Sequence, residues 1–328
     1  MSRTLAAGFV VVLAAVVLNR HFTRKSVNWH QGPEWEAYLE LYDKWVSDGF
    51  KDCESRQVVT DFGFTQVYAC GDSFHPPVLA HGGAASSSVI YTNWIMPSLV
   101  ARGRFVLAVD YICDLGRSRP VDGNTTYCPA TKDHFVTWTR QILAAFQIQG
   151  PVSMIGYSYG AYLSASVALK APELVDRLVM IAPAAVFAPV SLSFVLRALF
   201  HSLVYSGPSG FAFENWLSAT PGFDYARDMQ EMHVDFLKAG KRASPHATVL
   251  LSQPHQFSKE ELEVVVSHPT LVIWGAQEKV FDASVARKTA NSVGGIVLKE
   301  YPGNGHLLII EEARPVAEKD TVDFIMQS

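Results

Sequence analysis

The sequence has little net charge, few cysteines and no internal repeat. Across 328 residues, 27 lysines and arginines face 31 aspartates and glutamates, a formal charge of −4. That balance excludes a chain whose bulk binds nucleic acid by neutralising phosphates. No Gly-X-Y period, heptad run or repeat of 20–50 residues is present, so fibrous and solenoid architectures fall away. Cys-x-x-Cys spacing is missing, which removes the usual structural zinc site. Charged residues make up only 18% and hydrophobic residues 49%. That apolar mass can build a large core and argues against general disorder. The length fits one large or two ordinary domains.

What is present begins with the uncharged run Leu5–Leu18, LAAGFVVVLAAVVL. At about 1.5 Å per residue it reaches roughly 21 Å, short of a hydrocarbon core of about 30 Å. Arg20, His21, Arg24 and Lys25 follow, and long basic side chains can snorkel to extend a tight span. No small-x-small cleavage site precedes them. The expectation is a retained anchor and membrane association through residues 5–18; a cleaved signal with secretion, or a buried helix, are the alternatives. The basic flank would hold the body on the cytoplasmic side. The four cysteines point the other way, because they form two near-neighbour pairs. Cys53–Cys70 and Cys113–Cys128 would suit disulfides in an oxidising lumen, beside a glycosylation sequon at Asn124-Thr125-Thr126. Four free thiols and a chance sequon fit equally.

Along the chain, helical and strand patterns alternate. Trp35, Tyr38, Leu39, Leu41, Tyr42 and Trp45 recur at helical spacing within 33–50, and read as packing rather than chemistry. Strand signals fall at 57–62, 65–69, 78–80, 105–109, 152–155, 178–181, 270–274 and 297–301. Helices are expected at 90–102, 134–147, 161–170, 283–292 and 315–325. Continuously apolar strands alternating with helices imply an α/β protein with a mostly parallel sheet covered on both faces. Between Ile181 and His268 the rhythm breaks into an aromatic-rich stretch, read as a helical lid or a small helical subdomain. The expected layout is an apolar anchor or signal with basic flank at 1–30 and an N-terminal helix at 31–55. The core follows at 56–183, the lid at 184–267 and the rest of the core at 268–328.

The chemistry concentrates at Gly156-Tyr157-Ser158-Tyr159-Gly160. Gly-x-Ser-x-Gly between a strand and a helix is a nucleophile elbow. The turn strains the serine backbone and leaves no room for side chains two positions away. A serine hydroxyl needs a base. Among eleven histidines, His306 follows the last strand after Gly303 and Gly305, which turn the chain back to the sheet edge. His233, His246, His255 and His268 read as surface residues. The supporting acid should follow a late strand. Glu278, after Thr270–Trp274, is the choice; Asp282 is the runner-up, although it suits an N-cap for the next helix. Asp110 reads as a loop brace, although its strand-end position makes it a third candidate acid. The backbone N–H groups of Gly83 and Tyr159 are the expected oxyanion donors, with Ala84 as the alternative to Gly83. His81 reads as a structural residue of that loop.

Together these residues resemble the α/β-hydrolase superfamily from about Val58 onward. Within it the chain resembles the carboxylesterase NP (naproxen esterase) group. The carrying features are Thr60-Asp61-Phe62-Gly63, the His81 loop with Ser86-Ser87-Ser88, and Tyr91-Thr92-Asn93-Trp94. Val109-Asp110, the segment 116–120, Ile181-Ala182-Pro183-Ala184 and the segment 275–282 add to them. Ala161 departs from many relatives, which carry a second glycine there. The resemblance implies ester hydrolysis by Ser158, Glu278 and His306 without a cofactor; the aromatic stretch and the apolar N-terminus favour a small-molecule or lipid-like hydrophobic ester, and no metal is expected. Other acyl or carbon–carbon hydrolysis on the same residues is the alternative. A non-catalytic binding role is the third reading.

Overall fold

The computed structural model describes residues 32–91, 94–204, 211–229, 231–243 and 254–327. The apolar run at 5–18 and its basic flank lie outside the described residues, as do Thr92, Asn93 and His246. Among the described residues, no helix is long and apolar enough to cross a membrane.

The strands are β1 (Glu54–Thr60), β2 (Gly63–Cys70), β3 (Pro77–His81), β4 (Phe105–Val109), β5 (Arg119–Pro120), β6 (Val152–Tyr157), β7 (Val175–Ile181), β8 (Thr270–Gly275) and β9 (Ile296–Tyr301). They form one sheet in the order β1-β2-β4-β3-β6-β7-β8-β9, with β5 paired to β2. β1, β4 and β5 run antiparallel to β2. From β4 to β9 every pairing is parallel. The sheet is thus mostly parallel, as its apolar strands imply.

The helices are α1 (Pro33–Gly49), α2 (Met96–Ala101), α3 (Lys132–Ala145), α4 (Tyr159–Lys170), α5 (Leu192–Val204), α6 (Ala212–Ser218), α7 (Tyr225–Asp228), α8 (Glu231–Ala243), α9 (Lys259–Val265), α10 (Ala283–Val293) and α11 (Arg314–Ile325). Successive strand residues point to opposite faces. Leu79, Leu107, Met154 and Val272 therefore join α3, α4, α9 and α10 in one core layer. Val78, Val106, Ile155 and Ile273 join α1, α2 and α11 in the other. Each such large side chain contributes about 1.5–3 kcal/mol when fully buried.

The continuous helix expected at 90–102 is instead two pieces. A 3₁₀ turn spans Ser88–Tyr91, and α2 starts at Met96 with Pro97 in its first turn. Proline is tolerated only there, because it lacks an N–H and its ring blocks the preceding turn. Cys53 is bonded to Cys70 and Cys113 to Cys128.

The connection from β7 to β8 carries α5 to α9. Phe211, Tyr225 and Val234 form a small cluster that also receives Leu307 and Ile310 from the segment after β9. α1 packs on α8, with the Phe236 ring 5.0 Å from Tyr38 and 5.2 Å from Trp45. The α1 aromatics are packing residues. α9 belongs to the core layer: Leu262 and Val265 are buried in it, and Lys132 pairs with Glu261 at 2.7 Å.

Candidate active site

Ser158 sits between β6 and α4 with φ 52° and ψ −112°, a strained conformation for a residue with a side chain. Its N–H donates to Ile181 O at 2.8 Å, which ties the turn to β7. The flanking glycines are sterically required. A Cβ at Gly156 would lie 2.4 Å from Gly160 O, and one at Gly160 would lie 2.3 Å from His81 O. The elbow is therefore wedged against the end of β3.

His306 arrives on the segment after β9. Its main chain is held at both polar groups: the N–H donates to Leu217 O at 2.8 Å, and the carbonyl accepts from the Tyr157 hydroxyl at 2.9 Å. Nε2 lies 2.8 Å from Ser158 Oγ. Nδ1 lies 2.9 Å from each Glu278 oxygen. Glu278 Oε1 also accepts the N–H groups of Lys279 and Val280, both at 2.8 Å. An ionised carboxylate only accepts, so Nδ1 carries the proton and Nε2 faces the hydroxyl as acceptor. Ser158, Glu278 and His306 are 9%, 8% and 5% exposed, so water competes weakly for these bonds. The arrangement can take a proton from Ser158 and stabilise the imidazolium that results.

The close approach of the two loops depends on Gly275. A Cβ there would meet Asn304 O at 2.2 Å. Asp282 is engaged elsewhere. It caps α10, accepting the N–H groups of Ser284 at 2.8 Å and Val285 at 3.2 Å. Hydrogen bonds from Ser284 and Val285 hold its carboxyl below the usual range.

Gly83 lies against the elbow. A Cβ on it would be 3.0 Å from the Tyr157 ring and 3.3 Å from Ser158 Cβ. Tyr159 opens α4 immediately after Ser158. Ala84 follows, and the Ala85 N–H donates to Asp114 at 2.9 Å. Asp110 is fully buried and accepts the N–H groups of Ser88 at 2.8 Å and Arg117 at 2.7 Å, plus the Tyr42 hydroxyl at 2.7 Å. It braces these loops. His81 is buried, with Nδ1 3.2 Å from Ser164 Oγ. Burial pushes it down to about 3, so it is neutral near pH 7.

Of the remaining histidines, His255 is exposed, with Nδ1 3.4 Å from the Tyr162 hydroxyl. His268 is half-buried, and burial lowers its proton affinity. Neither joins the Ser158 cluster. Among the described residues, no group of three or more histidine, cysteine or acidic side chains could hold a metal.

Sequence reasoning missed two partners of His306. Tyr157 occupies a variable position of the elbow pattern, which carries no signal for a tie to His306. Leu217 lies far away in the chain and acts through its carbonyl, which every residue has.

A parallel sheet with an elbow serine at the end of a central strand, and a histidine and an acid on later loops, defines a hydrolase fold. The chain belongs to the alpha/beta hydrolase fold family, whose model matches residues 76–313. It is 28% identical to the "Uncharacterized carboxylesterase nap" of Bacillus subtilis (strain 168), over 86% of this chain and 90% of that protein. It is 26% identical to "Carboxylesterase YbfK" of the same organism, over 86% of this chain and 91% of that protein. The crystal structure of naproxen esterase (carboxylesterase NP) from Bacillus subtilis superposes with a TM-score of 0.74 at 25% identity. That match covers 90% of this chain and 99% of the other. The resemblance to the carboxylesterase NP group therefore extends to the fold.

Proposed function

We propose that the chain hydrolyses carboxylic esters through an acyl-enzyme on Ser158. His306 is the general base and Glu278 the supporting acid. Ser158 Oγ attacks the ester carbonyl while its proton passes to His306 Nε2. The N–H groups of Gly83 and Tyr159 hold the tetrahedral oxyanion. His306 returns the proton to the departing alcohol, leaving the acyl group on Ser158. Water, deprotonated by His306, then cleaves the acyl-enzyme to release the acid and restore the serine. Glu278 holds Nδ1–H throughout and stabilises the imidazolium.

The observation that carries this reading is the run of contacts from Ser158 Oγ to His306 Nε2 at 2.8 Å and from Nδ1 to Glu278 at 2.9 Å. The carboxylesterase names of two relatives, at 28% and 26% identity, support ester as the substrate class.

Hydrophobic or lipid-like esters are the proposed substrates, with residues 184–267 containing the lid and residues 5–18 serving as a membrane tether. The α5 helix supports this, because Leu192 and Phe200 are 70% and 67% exposed on it, beside exposed Val195 and Leu196. Scattered apolar residues are ordinary; four on one helix within nine positions form a patch.

Full-length protein and its Ser158→Ala variant should be compared on p-nitrophenyl esters of short and long acyl chains. The expected result is turnover that rises with chain length and is lost in the variant. Equal turnover by the folded variant removes Ser158 from the reaction. Wild-type protein that is inert on esters but cleaves a carbon–carbon substrate would redirect the substrate class.

A further inference from the structure

Glu311 is a buried acid, five residues past His306, that the proposed reaction does not use. It is 7% exposed. Oε2 accepts a hydrogen bond from the Thr220 hydroxyl at 2.7 Å. Oε1 is buried with no hydrogen-bond partner among the described residues. A half-satisfied buried carboxylate is costly to keep, so its position calls for a physical reason.

Its surroundings supply one. The end of α6 lies along the His306 segment in direct contact. Leu217 O takes the His306 N–H, and a Cβ at Gly305 would meet Ser218 O at 2.1 Å. Leu307 and Ile310 pack into the Phe211, Tyr225 and Val234 cluster. The groups facing Glu311 are Thr220 and Ser218 from the insertion, His306 on its own segment and Glu278 from the loop after β8. Tyr157 of the elbow senses both carboxylates. Burial raises the Glu311 carboxyl above the usual range, while Thr220, Ser218 and His306 favour its ionised form.

We propose that Glu311 is a positioning residue: with Thr220 it latches the end of α6 onto the His306 segment, and its charge supports the imidazolium formed during acyl transfer. The inference rests on the reading of Ser158, His306 and Glu278 as the reacting set. Two carboxylates then serve one base. Glu278 orients it by contact, and Glu311 acts on it at longer range. Because Thr220 belongs to the insertion, the seating of that segment and the poise of the base become linked.

The test is the pH dependence of kcat/KM on a p-nitrophenyl ester for wild type, Glu311→Gln, Glu311→Asp and Thr220→Val. Glu311→Gln keeps an acceptor for Thr220 and removes the charge. An imidazolium forms less readily without a neighbouring carboxylate. The acid limb should therefore move to lower pH, by about 0.5 unit for a charge beyond contact distance. Glu311→Asp should restore the wild-type limb. Thr220→Val keeps the charge and breaks the latch, so kcat should fall several-fold with the limb unmoved. An unmoved limb in active Glu311→Gln, or wild-type kcat in Thr220→Val, overturns the proposal. If Glu311→Gln does not fold, the Thr220→Val result decides alone. Wild-type protein that neither turns over ester nor labels at Ser158 with a fluorophosphonate overturns the underlying reading and the latch together. Normal wild-type turnover with an unmoved limb in active Glu311→Gln overturns the role of Glu311 and leaves the reading of Ser158, His306 and Glu278 standing.

Discussion

Gly160→Ala adds one methyl group at the most crowded point of the elbow. That Cβ would stand 2.3 Å from His81 O, 2.4 Å from Gly82 O and 2.7 Å from His81 C. Comfortable carbon contacts begin near 3.5 Å, so the two segments must separate by about 1 Å. The His81 side cannot yield alone. His81 is the last residue of β3, registered against Val109 and Gly156, and its carbonyl accepts the Tyr91 hydroxyl. The displacement therefore passes to Gly83, which lies against Ser158. Overpacking of this kind costs about 1–3 kcal/mol of stability. A misplacement of about 1 Å at a reacting centre costs on the order of 100-fold in rate, the scale of losing one oxyanion donor. Steady-state ester hydrolysis and a thermal melt measure the two effects separately. The variant should remain folded, melt somewhat lower and lose about two decades of kcat. A folded variant with kcat within about threefold of wild type would refute this account of the elbow and of Gly83.

Three further outcomes are expected. Glu278→Gln should lower kcat by about 10³–10⁴ with the fold intact, because the amide oxygen stays on the Lys279 and Val280 N–H groups and the NH2 turned to Nδ1 favours the wrong imidazole tautomer; a loss under tenfold would shift that role elsewhere. The disulfides close sequence separations of 17 and 15 residues. Chain entropy assigns each about 3 kcal/mol, so paired Cys→Ser replacement at either should lower urea stability by about that amount, and unchanged stability would contradict it. His81 titrates at about 3 when folded against an ordinary 6.5. The unfolded chain therefore binds a proton that the folded chain refuses. This contribution is fully favourable above pH 6.5 and is lost as pH falls toward 3, at about 1.4 kcal/mol per pH unit. Between pH 6.5 and 5 it costs about 2 kcal/mol, and His81→Asn should flatten that part of the stability profile.

The parallel centre of the sheet was legible because β3, β4, β6, β7 and β8 are continuously apolar and separated by helical patterns. Pairing was not. The antiparallel edge of β1, β2 and β5 depends on partners outside any local window, and β5 is only two residues long. Pro97 was a local signal for where α2 begins, but the apolar run across it masked the break. At the site, strand-end positions and glycines located Ser158, Glu278 and His306 within one another's reach. The contacts that steady His306 were invisible for a different reason. Tyr157 reaches a main-chain carbonyl, Leu217 offers only its own, and Glu311 meets Thr220 across a sequence separation of 91. Such contacts arise from folding two distant segments together and leave no spacing rule behind.

The most direct measurement of the central claim is the mass of the Ser158 peptide after treating folded protein with a fluorophosphonate. The account predicts a single phosphonyl adduct on Ser158, formed quickly in wild type and far more slowly in His306→Ala, since attack requires the base at 2.8 Å. An unmodified Ser158 peptide from folded wild-type protein, or labelling at an equal rate without His306, would contradict it.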